Sequence, residues 1–104
     1  MSYEHLVIHI EDGIATVTMN RPEVLNGLHP PAHAEMERVW DELGENDDVR
    51  VAILTGAGRA FNAGGDLKDM QDRLSADPAG GSGISAAAGR RIIYNLLSFE
   101  KPLI

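Results

Sequence analysis

The stretch VAILTGAGRAFNAGGDLKDM, Val51–Met70, decides how this chain is read. Val51–Thr55 is an apolar, β-branched run of the kind that forms a buried strand. It passes into Gly56-Ala57-Gly58, then Phe61, then Ala63-Gly64-Gly65-Asp66-Leu67, where a helix is expected to begin at Asp66 and continue to Leu74. Paired glycines directly before a helix let backbone approach a ligand with no side chain in the way. The helix start adds free N–H groups and the positive end of the macrodipole. An anion, or an oxygen gaining negative charge, suits such a place.

Working outward, Leu6–Ile10 and Ile14–Met19 read as two strands joined by Glu11-Asp12-Gly13, and Asp-Gly between such runs signals a hairpin. Pro22 stops the second strand because it cannot donate to a ladder. A loop through Asn26-Gly27-Leu28 leads to Pro30-Pro31, where a helix can start. Ala32, Met36, Val39, Trp40 and Leu43 fall on one face of that helix, with Glu35, Glu37, Arg38, Asp41 and Glu42 largely on the other. Gly44 is expected to close it, and Asp47-Asp48 to turn the chain into the strand at Val51. Beyond the glycine loop, Ala76–Gly83 is too rich in glycine, proline and small residues for regular structure and is expected to be mobile. A helix restarting near Ser85 carries an apolar stripe of Ile92, Ile93, Leu96 and Leu97 and ends at Lys101-Pro102, after which Leu103-Ile104 reads as the opening of another strand. The order β-β-α-β-α-α-(β) is that of an α/β layer fold. A strand of two residues falls short of the usual length, so the chain is expected to stop inside its fold.

The 104 residues suit one small domain, and 43% apolar content is that of a globular chain. A net charge of −7 with no long basic run argues against nucleic acid as a partner. No apolar run reaches membrane-spanning length and no leader pattern opens the chain, so a cytoplasmic protein without a membrane partner is expected. With no cysteine, thiol catalysis, disulfides and Cys-ligated zinc are excluded within this sequence.

Several patterns invite sharper readings. Gly56-Ala57-Gly58 resembles a dinucleotide fingerprint, but Phe61 stands where its third glycine belongs. His29 and His33 have metal-pair spacing, yet Pro30-Pro31 separates them and no third ligand is evident; a surface or capping role is expected, and no metal site. His5 and His9 read as strand-face residues. Asp66, Asp69 and Asp72 could supply an acid or base, but Asp66 as an N-cap with helix-end carboxylates is the simpler account. Arg90-Arg91 reads as a solvated face.

Asn20-Arg21-Pro22, Leu25-Asn26-Gly27-Leu28, Val51–Gly56, Phe61–Lys68 and Phe99–Ile104, in this order and spacing, resemble the enoyl-CoA hydratase/isomerase (crotonase) superfamily over essentially the whole chain. The resemblance implies an α/β, crotonase-like (ClpP/crotonase) spiral of ββα units, incomplete here, with residues 1–104 as the N-terminal portion of a single domain. It implies acyl-CoA thioesters as substrates, coenzyme A entering as part of the substrate and no separate cofactor, and assembly as a homotrimer or hexamer. By this resemblance the Gly65 N–H supplies half of the thioester oxyanion hole. Ala63 meets the CoA adenine, Asn26-Gly27-Leu28 lies along the pantetheine, and Lys68 stands near the CoA phosphates. Gly64 and Asp66 belong to the same substrate-binding set. Arg21 and Lys68 would offset repulsion between an acidic chain and anionic CoA. Residues 76–83 correspond to a variable loop near the acyl chain. Gly27 departs from the alanine common in the family. The second oxyanion donor and the acid/base glutamates lie past Ile104 in that pattern. The expected activity is therefore hydration of 2-enoyl-CoA by a complete enzyme, with these 104 residues alone inactive. Isomerase, hydrolase or decarboxylase chemistry, or a non-catalytic fragment, are the alternatives.

Overall fold

The computed structural model describes residues 2–64, 75 and 86–104. The expected helix over 66–74, the expected mobile run over 76–83, and Gly65, Asp66, Lys68, Asp69 and Asp72 lie outside the described residues.

Strands β1 (Leu6–Glu11) and β2 (Ile14–Met19) form the expected antiparallel hairpin, paired from Leu6↔Met19 to Glu11↔Ile14. Its two turn residues, Asp12 at φ 53° and Gly13 at φ 80°, are both left-handed, which matches the right-handed twist of the flanking strands. The hairpin tip is tied to the next strand: the Gly13 carbonyl accepts from Arg50 N–H at 2.7 Å and Val51 N–H at 3.2 Å, and the Arg50 guanidinium donates to the Asp12 carbonyl at 2.8 Å. Strand β3 (Val51–Gly56) then runs parallel to β2, from Ile14↔Val51 to Met19↔Gly56, giving the sheet order β1-β2-β3.

Between β2 and β3 the chain makes a short 3-10 helix at Pro22–Val24 and then helix α1 (Pro30–Glu45), which begins on proline as the sequence predicts. The predicted apolar stripe of α1 is its buried face. Met36, Val39, Trp40 and Leu43 close over Leu6, Ala15, Val17 and Met19 from the sheet, with Val49 and Ala52, as one core. Helix α2 (Ala86–Ser98) leans on α1 through Ile92, Leu96 and the following Phe99, whose ring meets Trp40 edge-on at 5.7 Å. Beyond it, Leu103 and Ile104 run parallel to β3. Ala52 N–H donates to the Pro102 carbonyl, Ile104 N–H to the Ala52 carbonyl, and Leu54 N–H to the Ile104 carbonyl, each at 2.9 Å. The expected opening of another strand is therefore present.

Five sequence expectations give way to tertiary contacts. Gly44 does not close α1; the helix runs through it to Glu45 with Asn46 as C-cap. The ammonium of Lys101 satisfies this end by donating to the carbonyls of Leu43 at 2.8 Å and Asn46 at 2.7 Å. Asn46 also makes the following turn, its side-chain oxygen accepting from Asp48 N–H. Glu35 is buried, not solvent-facing, because its carboxylate accepts from the backbone N–H groups of Glu4 and His5 in the arm preceding β1. That arm also takes His5 off the strand. The stripe on α2 divides: Ile92 and Leu96 turn inward, while Ile93 and Leu97, with Tyr94, are exposed. His33 is buried on the inner side of α1, not on the surface, whereas His29 stands at the N-cap position.

Candidate functional site

The loop leaving β2 is shaped around Asn26. Leu25 and Asn26 are both left-handed, at φ 53° and 58°. Asparagine tolerates that region better than most residues. The Asn26 side chain is 1% exposed and makes three hydrogen bonds. Its oxygen accepts from Arg21 N–H at 2.9 Å, and its amide nitrogen donates to the carbonyls of Ala57 at 2.9 Å and Ala60 at 2.8 Å. One side chain thus fastens the Asn20–Leu28 loop to the glycine loop after β3. The join is close enough to demand glycine at 56, where a Cβ would stand 2.4 Å from the Phe61 carbonyl oxygen and 2.7 Å from the Asn26 amide nitrogen. Arg21, expected with Lys68 to offset repulsion of an anionic ligand, donates from its guanidinium to the Gly27 carbonyl.

A second layer of bonds sets the two loops side by side. Ala63 N–H donates to the Leu25 carbonyl and Leu28 N–H to the Gly64 carbonyl, both at 3.0 Å. Asn62 spans them, its amide nitrogen donating to the Asn26 carbonyl at 2.9 Å. Gly64, at φ 97°, adopts a conformation that favours glycine. Asn26, Gly27, Leu28, Ala63 and Gly64 are thereby brought together, with Ala63 and Gly64 at the surface and Asn26 and Gly27 beneath. Sequence reasoning placed Asn26 among ligand-contacting residues; its side chain here is committed to holding the loops. Asn62 was not singled out, although an asparagine two residues before a glycine in a turn is a signal for local side-chain to backbone bonding.

Chemically this is a backbone site. The described part offers exposed peptide groups on a turn braced by neutral amides, an arrangement suited to positioning a polar or charged oxygen. Among the described residues no group of three His, Asp or Glu could hold a metal ion, and no helix is long and apolar enough to cross a membrane. The shifted titrating groups lie on the α1 side. Burial lowers the His33 pKa below its ordinary 6.5, partly opposed by Glu37 and assisted by Arg91. Tyr3 is raised well above its ordinary value by burial and by the hydrogen bond and charge of Glu42, with Arg38 opposing.

Comparison with known proteins adds a lineage to this geometry. A sequence family described as enoyl-CoA hydratase/isomerase matches residues 9–104. The chain is 31% identical over 104 residues to a trans-2-decenoyl-[acyl-carrier-protein] isomerase of Streptococcus mutans, aligning all of this chain with 40% of that protein. It is 34% identical over 105 residues to a 1,2-epoxyphenylacetyl-CoA isomerase of Escherichia coli, with 97% of this chain on 38% of that one. Among solved structures, the enoyl-CoA hydratase EchA8_6 of Mycobacterium marinum superposes with a TM-score of 0.81 at 35% identity, covering 96% of this chain and 46% of that one. The chain thus spans less than half the length of each of these relatives.

Proposed function

Because this chain belongs to the enoyl-CoA hydratase/isomerase family, and has the crotonase fold in part, we propose that it forms the thioester-binding part of an enzyme that adds water to 2-enoyl-CoA. In this reading the Gly65 N–H donates to the thioester oxygen as it gains negative charge. Asn26, Gly27 and Leu28 line the pantetheine, Asn26 by shaping the backbone. Ala63 faces the adenine, Gly64 and Asp66 frame the donor, and Lys68 counters the CoA phosphates. The coenzyme A moiety is part of the substrate and no further cofactor is invoked. The second donor and the acid/base carboxylates come from outside these 104 residues, so this chain alone binds thioester without turning it over. Assembly as trimers or hexamers belongs to the same proposal.

The observation that carries it is the Leu28 to Gly64 bond. A trans peptide holds its C=O and N–H on opposite sides. With the Gly64 carbonyl turned to Leu28, the proposed reading has the N–H of the same peptide, that of Gly65, on the opposite side and toward the thioester oxygen. Gly64 lies at the surface, where a ligand can reach it.

Isomerisation is the second reading, favoured by the two isomerases among the relatives. It needs the same oxyanion donor. A single absorbance assay separates the two: hydration of a trans-2-enoyl-CoA bleaches the conjugated enoyl band, whereas isomerisation of a 3-enoyl-CoA creates it. Gly65→Val, tested in a form of the protein that turns over substrate, places bulk at the donor. It is expected to cost at least the ~10²–10³-fold in kcat that loss of one oxyanion donor brings. Unchanged turnover in that variant would refute the assignment.

A further inference from the structure

The Asn62 side chain makes bonds that the proposed chemistry does not by itself call for. Its oxygen accepts from the Gly64 N–H at 2.5 Å, while its nitrogen donates to the Asn26 carbonyl at 2.9 Å and meets the Met19 sulfur at 3.3 Å. Only this amide orientation works, since a carbonyl can only accept and an N–H can only donate. The side chain therefore bridges the surface turn at Gly64 to Asn26, whose own amide is locked into the buried junction with Ala57 and Ala60. Gly64 is thus held on both polar groups, its N–H by Asn62 and its carbonyl by Leu28.

We propose that Asn62 is a positioning residue: by holding the Ala63–Gly64 peptide through the Gly64 N–H, it fixes the turn from which the next peptide, held at its Gly64 carbonyl by Leu28, presents the proposed oxyanion donor. The proposal rests on the oxyanion reading above. The Asn62 amide hydrogens are taken by Asn26 and Met19 and its oxygen accepts from Gly64; its effect passes through Gly64. Because oxyanion stabilisation depends on donors aimed in advance at the developing charge, loosening Gly64 weakens the hold on a charged thioester oxygen more than the hold on the CoA body.

The test compares amide hydrogen exchange in the unaltered chain, Asn62→Ala and Asn62→Asp. Alanine removes all three contacts; aspartate keeps the acceptor for Gly64 N–H and loses the donors to Asn26 and Met19. Gly64 N–H is expected to exchange about fivefold faster in Asn62→Ala, the scale of one net hydrogen bond, and to recover in Asn62→Asp. The amides of Val17 and Ala52, in the core, report global opening and are expected not to change. Unaltered Gly64 exchange in Asn62→Ala, no recovery in Asn62→Asp, or equal acceleration in the core would each overturn the proposal. Binding of acetoacetyl-CoA, whose enolate carries charge on the thioester oxygen, is compared with binding of CoA itself. Asn62→Ala is expected to weaken the first about fivefold and the second by less than about twofold. Equal weakening of both would overturn the positioning role. If the unaltered chain binds acetoacetyl-CoA no better than CoA, the oxyanion reading fails, and the exchange measurements still decide what Asn62 does.

Discussion

Replacing Asn26 with alanine removes the side chain that joins the two loops, and its cost follows from the bonds it makes. Three are lost, to Arg21 N–H and to the carbonyls of Ala57 and Ala60. At a net ~1 kcal/mol each they account for about 3 kcal/mol. Alanine must also hold the φ of 58° that asparagine occupies, which costs roughly 1 kcal/mol more. Ala57 and Ala60 are only half-buried, so water can reach their stranded carbonyls and the total stays near 4 kcal/mol. Against the 5–15 kcal/mol typical of a domain, that is a large fraction, and the melting point is expected to fall by roughly 15–30 °C. The assay is urea unfolding followed by fluorescence of Trp40, the one tryptophan in the sequence and 1% exposed in the core. Asn26→Asp is expected to be no milder, because it turns a carboxylate oxygen toward two carbonyls. A loss below about 1 kcal/mol in Asn26→Ala, less than the three bonds imply, would refute the account of Asn26 as the junction.

Two other contacts make independent predictions. Lys101→Met strips the ammonium from the Leu43 and Asn46 carbonyls; a loss of about 1.5–3 kcal/mol in urea unfolding is expected, the range for bonds to a charged group, with faster exchange confined to the end of α1. His33, whose pKa burial holds below 6.5, binds fewer protons folded than unfolded. Its stabilising effect is therefore full above pH 6.5 and declines as pH falls through that value toward the folded pKa. His33→Gln is expected to flatten that decline, checked by comparing the urea midpoints of the two proteins at neutral pH and at about pH 5.5; parallel declines would show that another group is responsible.

Much of the fold was legible because its signals are local. Asp12-Gly13 specifies a hairpin turn through the φ values its two residues can adopt, and the structure has that turn. The spacing of Met36, Val39, Trp40 and Leu43 marks a helical face without reference to anything it touches, and all four are buried. The family resemblance also put Asn26–Leu28 and Ala63-Gly64 in one site, and the two loops do meet. Glu35 was misjudged for the converse reason. Its place on the helix permits either environment, and the arm carrying Glu4 and His5, some thirty residues earlier in the chain, decides the matter. Gly44 looked like a terminus because glycine often is one; Lys101, far along the chain, holds the end one residue further on.

The sequence by itself therefore determined the element order, the hairpin, the core face of α1 and the family to which the chain belongs. These depend on backbone preferences, hydrophobic periodicity and motif spacing, which are properties of residues close along the chain. Only the tertiary structure decided that Asn26 is a buried junction, that Asn62 holds Gly64, that Glu35 is buried, and that the stripe of α2 splits between core and surface. Each of those depends on which polar or apolar group arrives from a distant segment, and a side chain's local pattern carries no record of the partner that will satisfy it.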